Sequence, residues 1–150
     1  MKKGLIILVS CIALAACNNS DKKAAAPTVD KNEALKDSAN FTSIQWLDSM
    51  HRDLGKVTEG EQVEVSYRFK NTGTKPLIIT SVTASCGCTI PETPKEPFAP
   101  GAEGLIKATF NSKNRVGQNR KEVYVTANTT PDNQQQLEFT IEVQKKSETN

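Results

Sequence analysis

The chain has 150 residues, 24% of them charged, with 19 Lys and Arg set against 17 Asp and Glu. Its formal charge of +2 lies wholly in Lys2 and Lys3: without them the basic count falls to 17, equal to the acidic count, and no basic block stands elsewhere. A balanced surface has no general attraction for a phosphate backbone, and one His with no Gly-rich phosphate loop leaves little for Ser-His-Asp or nucleotide chemistry, so nucleic acid, a cofactor and a catalytic residue are all unexpected.

Chain order begins with Lys2 and Lys3, an apolar run over residues 5–14, and then Leu14-Ala15-Ala16-Cys17. The run is shorter than the ~18 residues a membrane-spanning helix needs, and it ends in small residues suited to a peptidase, so residues 1–16 read as a cleaved signal peptide. The Leu-Ala-Ala-Cys ending resembles the lipobox of bacterial lipoproteins. That resemblance implies that Cys17 is the lipid-bearing first residue of the mature chain. It also implies attachment to a membrane of a bacterial cell envelope, expected to be the outer one. Residues 17–40 carry Lys, Asp, Asn, Ser, Ala and one Pro with almost no large apolar side chain, the composition of a flexible linker. Asp37-Ser38-Ala39 and Asp48-Ser49-Met50 resemble a short O-glycan acceptor motif of Bacteroides-type bacteria. Asn40-Phe41-Thr42 and Asn128-Thr129-Thr130 match the N-glycosylation sequon, which the bacterial envelope sets aside.

The next hundred or so residues, 41–146, suffice for one compact domain, with a short tail at 147–150. Val63, Val65, Tyr67 and Phe69 alternate with Glu64, Ser66 and Arg68. Leu137, Phe139, Ile141 and Val143 alternate with Glu138, Thr140 and Glu142. Each pattern predicts a strand with one dry face and one wet face. Segments 76–84, 105–111 and 122–128 are rich in β-branched and aromatic residues, and Asn71-Thr72-Gly73, Pro100-Gly101 and Val116-Gly117 supply turns between them. With early edge strands at 44–47 and 53–57, the count reaches about seven, the pattern of an all-β, immunoglobulin-like antiparallel sandwich. Sandwiches of this kind expose sheet edges that accept a partner strand, so a protein partner in the envelope is expected.

Several stretches in order resemble the signatures of the DUF1573 family of envelope proteins. They are Asp53-Leu54-Gly55-Lys56-Val57, Glu59-Gly60-Glu61, Phe69-Lys70-Asn71-Thr72-Gly73, Pro76-Leu77-Ile78-Ile79, Ser85-Cys86-Gly87-Cys88-Thr89, Pro97, Pro100-Gly101 and Gly104-Leu105-Ile106. The resemblance covers about residues 50–145 and implies a sandwich similar to the Hydin and major-sperm-protein type, located in the envelope. It implies no activity.

Cys11 leaves with the signal peptide and Cys17 takes lipid, so Cys86 and Cys88 stand alone outside the reducing cytosol. Alternate residues of an extended chain lie near the outer limit for a disulfide, and Gly87 permits the bend that brings them closer. Three uses of the pair are open. It serves as a local clamp or as buried small thiols at the strand end, as an exchanging dithiol, or as a soft-metal site. Two thiolates hold Cu(I), whereas tetrahedral Zn needs two more ligands, for which His51 is the one histidine. Beyond the pair, Pro91, Pro94, Pro97 and Pro100 recur every third residue, the period of polyproline II, and predict a stiff crossover between the sheets.

Overall fold

The computed structural model describes Lys31 and residues 33–147. The expected signal peptide with its Cys11, the expected lipid-attachment residue Cys17 and most of the expected linker lie outside the described residues. Within them, two short 3-10 turns, Glu33–Leu35 and Ser38–Asn40, precede eight strands. These are β1 (Ile44–Trp46), β2 (His51–Thr58), β3 (Gln62–Asn71), β4 (Ile79–Ala84), β5 (Thr89–Glu92), β6 (Glu103–Asn111), β7 (Gly117–Ala127) and β8 (Gln134–Gln144). Among the described residues no helix is long and apolar enough to cross a membrane.

The strands form two four-stranded sheets, ordered β1-β3-β6-β5 and β2-β8-β7-β4. This is the immunoglobulin arrangement, with its first strand divided: β1 pairs antiparallel with β3, then the chain crosses at residues 47–50 and β2 pairs parallel with β8. That parallel pair is the one departure from an all-antiparallel sandwich among the named strands. It follows from the crossing, because a chain that changes sheets without reversing meets the last strand running the same way.

The alternation read in the sequence is realised. Val65, Tyr67 and Phe69 from one sheet and Leu137, Phe139, Ile141 and Val143 from the other join one core, with Val63 half-buried at its margin. Phe110 on β6 and Phe139 on β8 meet edge to face across the sheet interface, with centroids 5.8 Å apart. Phe69 also packs edge to face with Trp46, its partner in the same sheet, at 5.8 Å and with Phe98 at 4.9 Å. Such pairs add about 0.5–1.5 kcal/mol each beyond the area they bury. The Tyr67 hydroxyl ends in this core, donating to the Glu138 carbonyl at 2.7 Å, and burial pushes its pKa up to about 12. Gly104, in one of the quoted motifs, is there because a Cβ would enter the Phe69 ring and approach Phe98 Cε1 to 2.5 Å.

Three expectations need revision. First, the proline-rich stretch does not carry the crossover: β4 ends in one sheet at Ala84 and β5 begins in the other at Thr89, so residues 85–88 make the crossing. Second, Pro91 lies inside β5, an eighth strand not expected from sequence, where it pairs with Ala108 on a sheet edge. Proline is tolerated there because its missing N–H faces away from the ladder. Third, the folded part begins before residue 41. Ala34 is buried, Lys31 Nζ donates to the Pro94 carbonyl at 2.6 Å, and the Asn40 carbonyl accepts from Asn128 Nδ2 at 2.7 Å.

Candidate functional site: a closed corner, an open edge

At one corner of the sandwich, the four-residue crossing is folded onto itself. Cys86 and Cys88 are joined by a disulfide with Cα atoms 5.3 Å apart, and the Thr89 N–H donates to the Cys86 carbonyl. Asn111 N–H donates to the Cys88 carbonyl at 2.9 Å, which ties the bend to β6. Cys88 is buried, Cys86 half-buried and Gly87 exposed at the tip. Cys86 Sγ lies 3.7 Å from Thr89 Oγ1. The sequence pair is thus a bonded tie within one crossing, not a bridge between sheets.

His51 does not join it. The strand register runs His51, Glu138, Glu122, Ser85 across β2, β8, β7 and the end of β4, so three strand spacings of ~4.8 Å separate His51 from the residue before Cys86. Among the described residues, no three His, Cys, Asp or Glu side chains assemble into a metal site.

Beside the bend lies a cavity of about 310 Å³, walled by Gly87, Cys88 and Ile90 on one side and by Asn111, Lys113, Asn114 and Arg115 on the other. The second wall is the β6–β7 turn, and it is firmly held. Buried Ser112 donates from Oγ to the Thr58 and Glu61 carbonyls, Asn114 N–H donates to Glu59 Oε1 at 3.0 Å, and Lys113 N–H donates to Asn111 Oδ1 at 3.0 Å. Asn114 takes a left-handed φ of 57°, which turns the loop sharply between the two cations. Sequence reading missed this wall, since nothing local in Lys113-Asn114-Arg115 indicates that the turn faces residues 87–90.

The sheet edges differ in what they offer a partner strand, because successive residues point their backbone groups alternately to the two sides. On β5, Cys88 and Ile90 face β6, so Thr89 and Pro91 face outward; the Thr89 N–H is used in the bend and Pro91 has none. On β4, outward-facing Val82 N–H donates to Thr93 Oγ1 at 3.1 Å. On β2, His51 has its N–H and carbonyl both bonded to Ser49 Oγ, and a register shift between Asp53 and Lys56, with Gly55 N–H on Asp53 Oδ1, interrupts the rest. These are the devices by which sheets blunt their edges.

β3 is different. Leu47 N–H donates to the Arg68 carbonyl, and Asp48 accepts from the Arg68 N–H, so even-numbered residues of β3 face the β1 side. β1 pairs only with residues 69–71, which leaves Gln62, Glu64 and Ser66 presenting backbone groups with no strand beside them. The one side chain seen there is Arg52, whose Nη1 donates to the Ser66 carbonyl at 2.6 Å. A shorter open stretch lies on β8, where β2 pairs only from Glu138 onward and Gln134 and Gln136 face outward. Asp48 closes the upper limit of the β3 gap. Its carboxylate takes the Arg68 guanidinium in a fork at 2.8–3.2 Å, and these side-chain bonds, then the Arg68 N–H, lower its pKa to about 2.

Both glycosylation readings can now be placed. Asn128 is fully buried and its amide nitrogen is spent on the Asn40 and Pro76 carbonyls, so that sequon presents no acceptor. Ser49 Oγ is engaged with His51, whereas Ser38 lies exposed in the second 3-10 turn.

Sheet order, divided first strand and the crossings between sheets define an immunoglobulin-like sandwich. The chain belongs to the DUF1573 family, described as proteins of unknown function, whose model matches residues 44–143. It is similar to a protein of unknown function from Porphyromonas gingivalis W83, with a TM-score of 0.60 and 16% identity over 71% of this chain and 49% of that one. The chain therefore spans about half the length of that protein. It is also similar to the ASH/PapD-like domain 7 of human CEP192, with a TM-score of 0.58 and 9% identity over 72% of this chain and 89% of that one. A third similarity is to the YadV chaperone, with a TM-score of 0.51 and 13% identity over 67% and 52% of the two chains. At these identities the likeness establishes the fold alone. No curated protein matches the chain in sequence.

Proposed function

We propose that the protein is a bacterial envelope lipoprotein, anchored through lipid on Cys17, whose sandwich is a non-catalytic binding module that takes an extended segment of a protein partner along Gln62–Ser66 of β3. The observation that carries the proposal is the unevenness of the edges: those of β2, β4 and β5 are blunted, while Gln62, Glu64 and Ser66 of β3 face outward with no strand beside them, and only the Ser66 carbonyl is taken, by Arg52. Main-chain bonds along such an edge supply affinity, and side chains alternating with Glu64, Ser66 and Arg68 supply selectivity. The chaperone-like fold supports this reading, and the charge balance disfavours nucleic acid.

The test uses proline on the open edge. Glu64→Pro removes an outward N–H and leaves the β6 ladder intact, so the protein should fold, yet recover its partner poorly from detergent-solubilised envelopes. If Gln136→Pro abolishes recovery while Glu64→Pro does not, the binding edge is on β8 and the proposal fails. Cys17→Ala should release the protein from membranes; retention would refute the anchor.

A second reading assigns the chemistry to Cys86 and Cys88, as an envelope thiol-redox or copper-handling pair. It is favoured by the cavity that Cys88 borders, beside the exposed Gly87 at the tip of the bend. Copper uptake on this reading requires the reduced pair, so it should appear only after reductant and vanish in Cys86→Ser with Cys88→Ser.

A further inference from the structure

The cavity beside the bend joins three features that the binding reading leaves unused. It is bordered by Cys88, one half of the disulfide; its far wall carries Lys113 and Arg115; and its volume, about 310 Å³, sits at the lower end of the range for small-molecule sites. Neither cation is engaged in an ion pair among the described residues. The nearest acid tied into the turn, Glu59, accepts the Asn114 backbone N–H. The turn is pinned through Ser112 and Asn114, so the two charges are presented from a fixed frame to the space over Cys88.

The two sulfurs have different surroundings. Cys88 borders the cavity with Gly87, whose lack of a side chain leaves the approach clear. Cys86 is half-buried against the core cluster to which Cys88 itself belongs and does not line the cavity, and its sulfur lies beside the hydroxyl of buried Thr89. A nucleophile seated in the cavity thus lies beside Cys88 and not Cys86, and the departing sulfur of Cys86 has the Thr89 hydroxyl as a hydrogen-bond donor.

We propose that the Cys86–Cys88 disulfide exchanges with small carboxylate-bearing thiols, which enter the cavity over Cys88 and are held there by Lys113 and Arg115. The proposal rests on the thiol reading above, not on strand addition. In the first step the ligand thiolate attacks Cys88 Sγ and forms a mixed disulfide. The Sγ–Sγ bond breaks, and its electron pair leaves on Cys86 as a thiolate beside Thr89 Oγ1. A second ligand thiolate then attacks the ligand sulfur of the mixed disulfide and releases Cys88 as a thiolate. The two protons lost by the ligand thiols are taken up by Cys86 and Cys88. Two thiols become one low-molecular-weight disulfide, and one protein disulfide becomes two thiols.

The full-length protein in detergent micelles is treated separately with reduced glutathione, which bears carboxylates, and with 2-mercaptoethanol, which does not. Opening of the disulfide is followed by thiol labelling and intact mass, with rates normalised to thiolate concentration. Glutathione should react on the order of tenfold faster, the scale of electrostatic steering, and the advantage should shrink in high salt. Lys113→Gln with Arg115→Gln, both exposed and therefore safe for folding, should bring the ratio of rates close to one. With oxidised glutathione, the Cys86→Ala variant should form an adduct on Cys88 faster than Cys88→Ala forms one on Cys86. A ratio that survives the double substitution, or faster adduct formation on Cys86, overturns the cavity assignment. If both thiols open the bond at equal rates, the thiol reading stands and this inference falls. If neither opens it over hours in excess reagent, both fall, and recovery through the β3 edge is unaffected.

Discussion

Asn128 offers the sharpest test of how the end of the sandwich opposite the disulfide is held. Its Oδ1 accepts from the Ile78 N–H at 2.7 Å, and its Nδ2 donates to the Asn40 and Pro76 carbonyls at 2.7 and 3.0 Å. Asn128→Ala removes all three bonds. Ile78 is buried, so its N–H loses its partner without gaining water, at about 1–3 kcal/mol, while the two carbonyls belong to exposed residues and rehydrate at about 0.5–1 kcal/mol each. The expected loss is about 3 kcal/mol, or roughly 12–24 °C in melting temperature for a domain of this size. Urea unfolding followed by fluorescence of the single Trp46 measures it. Asn40→Ala is the control, because the bond from Asn128 reaches a backbone carbonyl that alanine keeps, and it should cost under ~0.5 kcal/mol. A loss below ~1 kcal/mol for Asn128→Ala would mean that the loops re-pair their backbone groups without it, and the reasoning would be wrong.

Three further outcomes follow. Gly104→Ala should cost about 1–3 kcal/mol by overpacking against Phe69 and Phe98, read as a lowered urea midpoint with an unchanged slope. The Asp48 pKa, lowered from 3.8 to about 2 by Arg68, gives a stabilising contribution that is complete above 3.8 and lost as pH falls through about 2; Asp48→Asn should therefore flatten the acid limb of thermal stability between pH 4 and 2, less visibly at high salt. Reducing the Cys86–Cys88 bond opens a three-residue loop worth about 1.6 kcal/mol of chain entropy, so reductant should shift the urea midpoint by no more than that, and a loss above ~3 kcal/mol would show that the crossing itself comes apart.

Periodicity made the centre of each sheet legible. The runs at 63–69 and 137–143 alternate because each strand has one face in a shared core, and a two-residue period survives any detail of topology. The edges were harder. β5 was missed because Pro91 argues against a strand when read locally; it is admissible only because β5 is an edge whose outward N–H is dispensable, and edge status is a tertiary property. The parallel pairing of β2 was hidden for a related reason: nothing in residues 51–58 records which sheet the chain has crossed to. Glu138 fell on the predicted wet face yet is buried, since Arg120 lies over it and donates Nε to Oε2 at 2.7 Å. The cysteine pair stood out in the sequence, but its cationic wall did not, because Lys113 and Arg115 reach it from a turn 25 residues further on.

The arithmetic of the small ring bears on why the sulfurs are where they are. A tie worth about 1.6 kcal/mol at most adds little to a core that already carries Phe110 against Phe139 and Phe69 between Trp46 and Phe98. Nor does the bend depend on it for direction, since Thr89 N–H on the Cys86 carbonyl and Asn111 N–H on the Cys88 carbonyl already set the turn and its attachment to β6. A bond that contributes little to stability and is spare for geometry is the kind that can open and close while the sandwich stays folded. At the margin where β1 ends at Trp46, β3 is left without a neighbouring strand, and Arg52 holds the Ser66 carbonyl. The two proposals are therefore separable by substitution: changes at residues 86–88 and 113–115 should act on the proposed exchange, changes at 62–66 on the proposed strand capture, and a variant that impaired both while keeping its melting temperature would contradict the division.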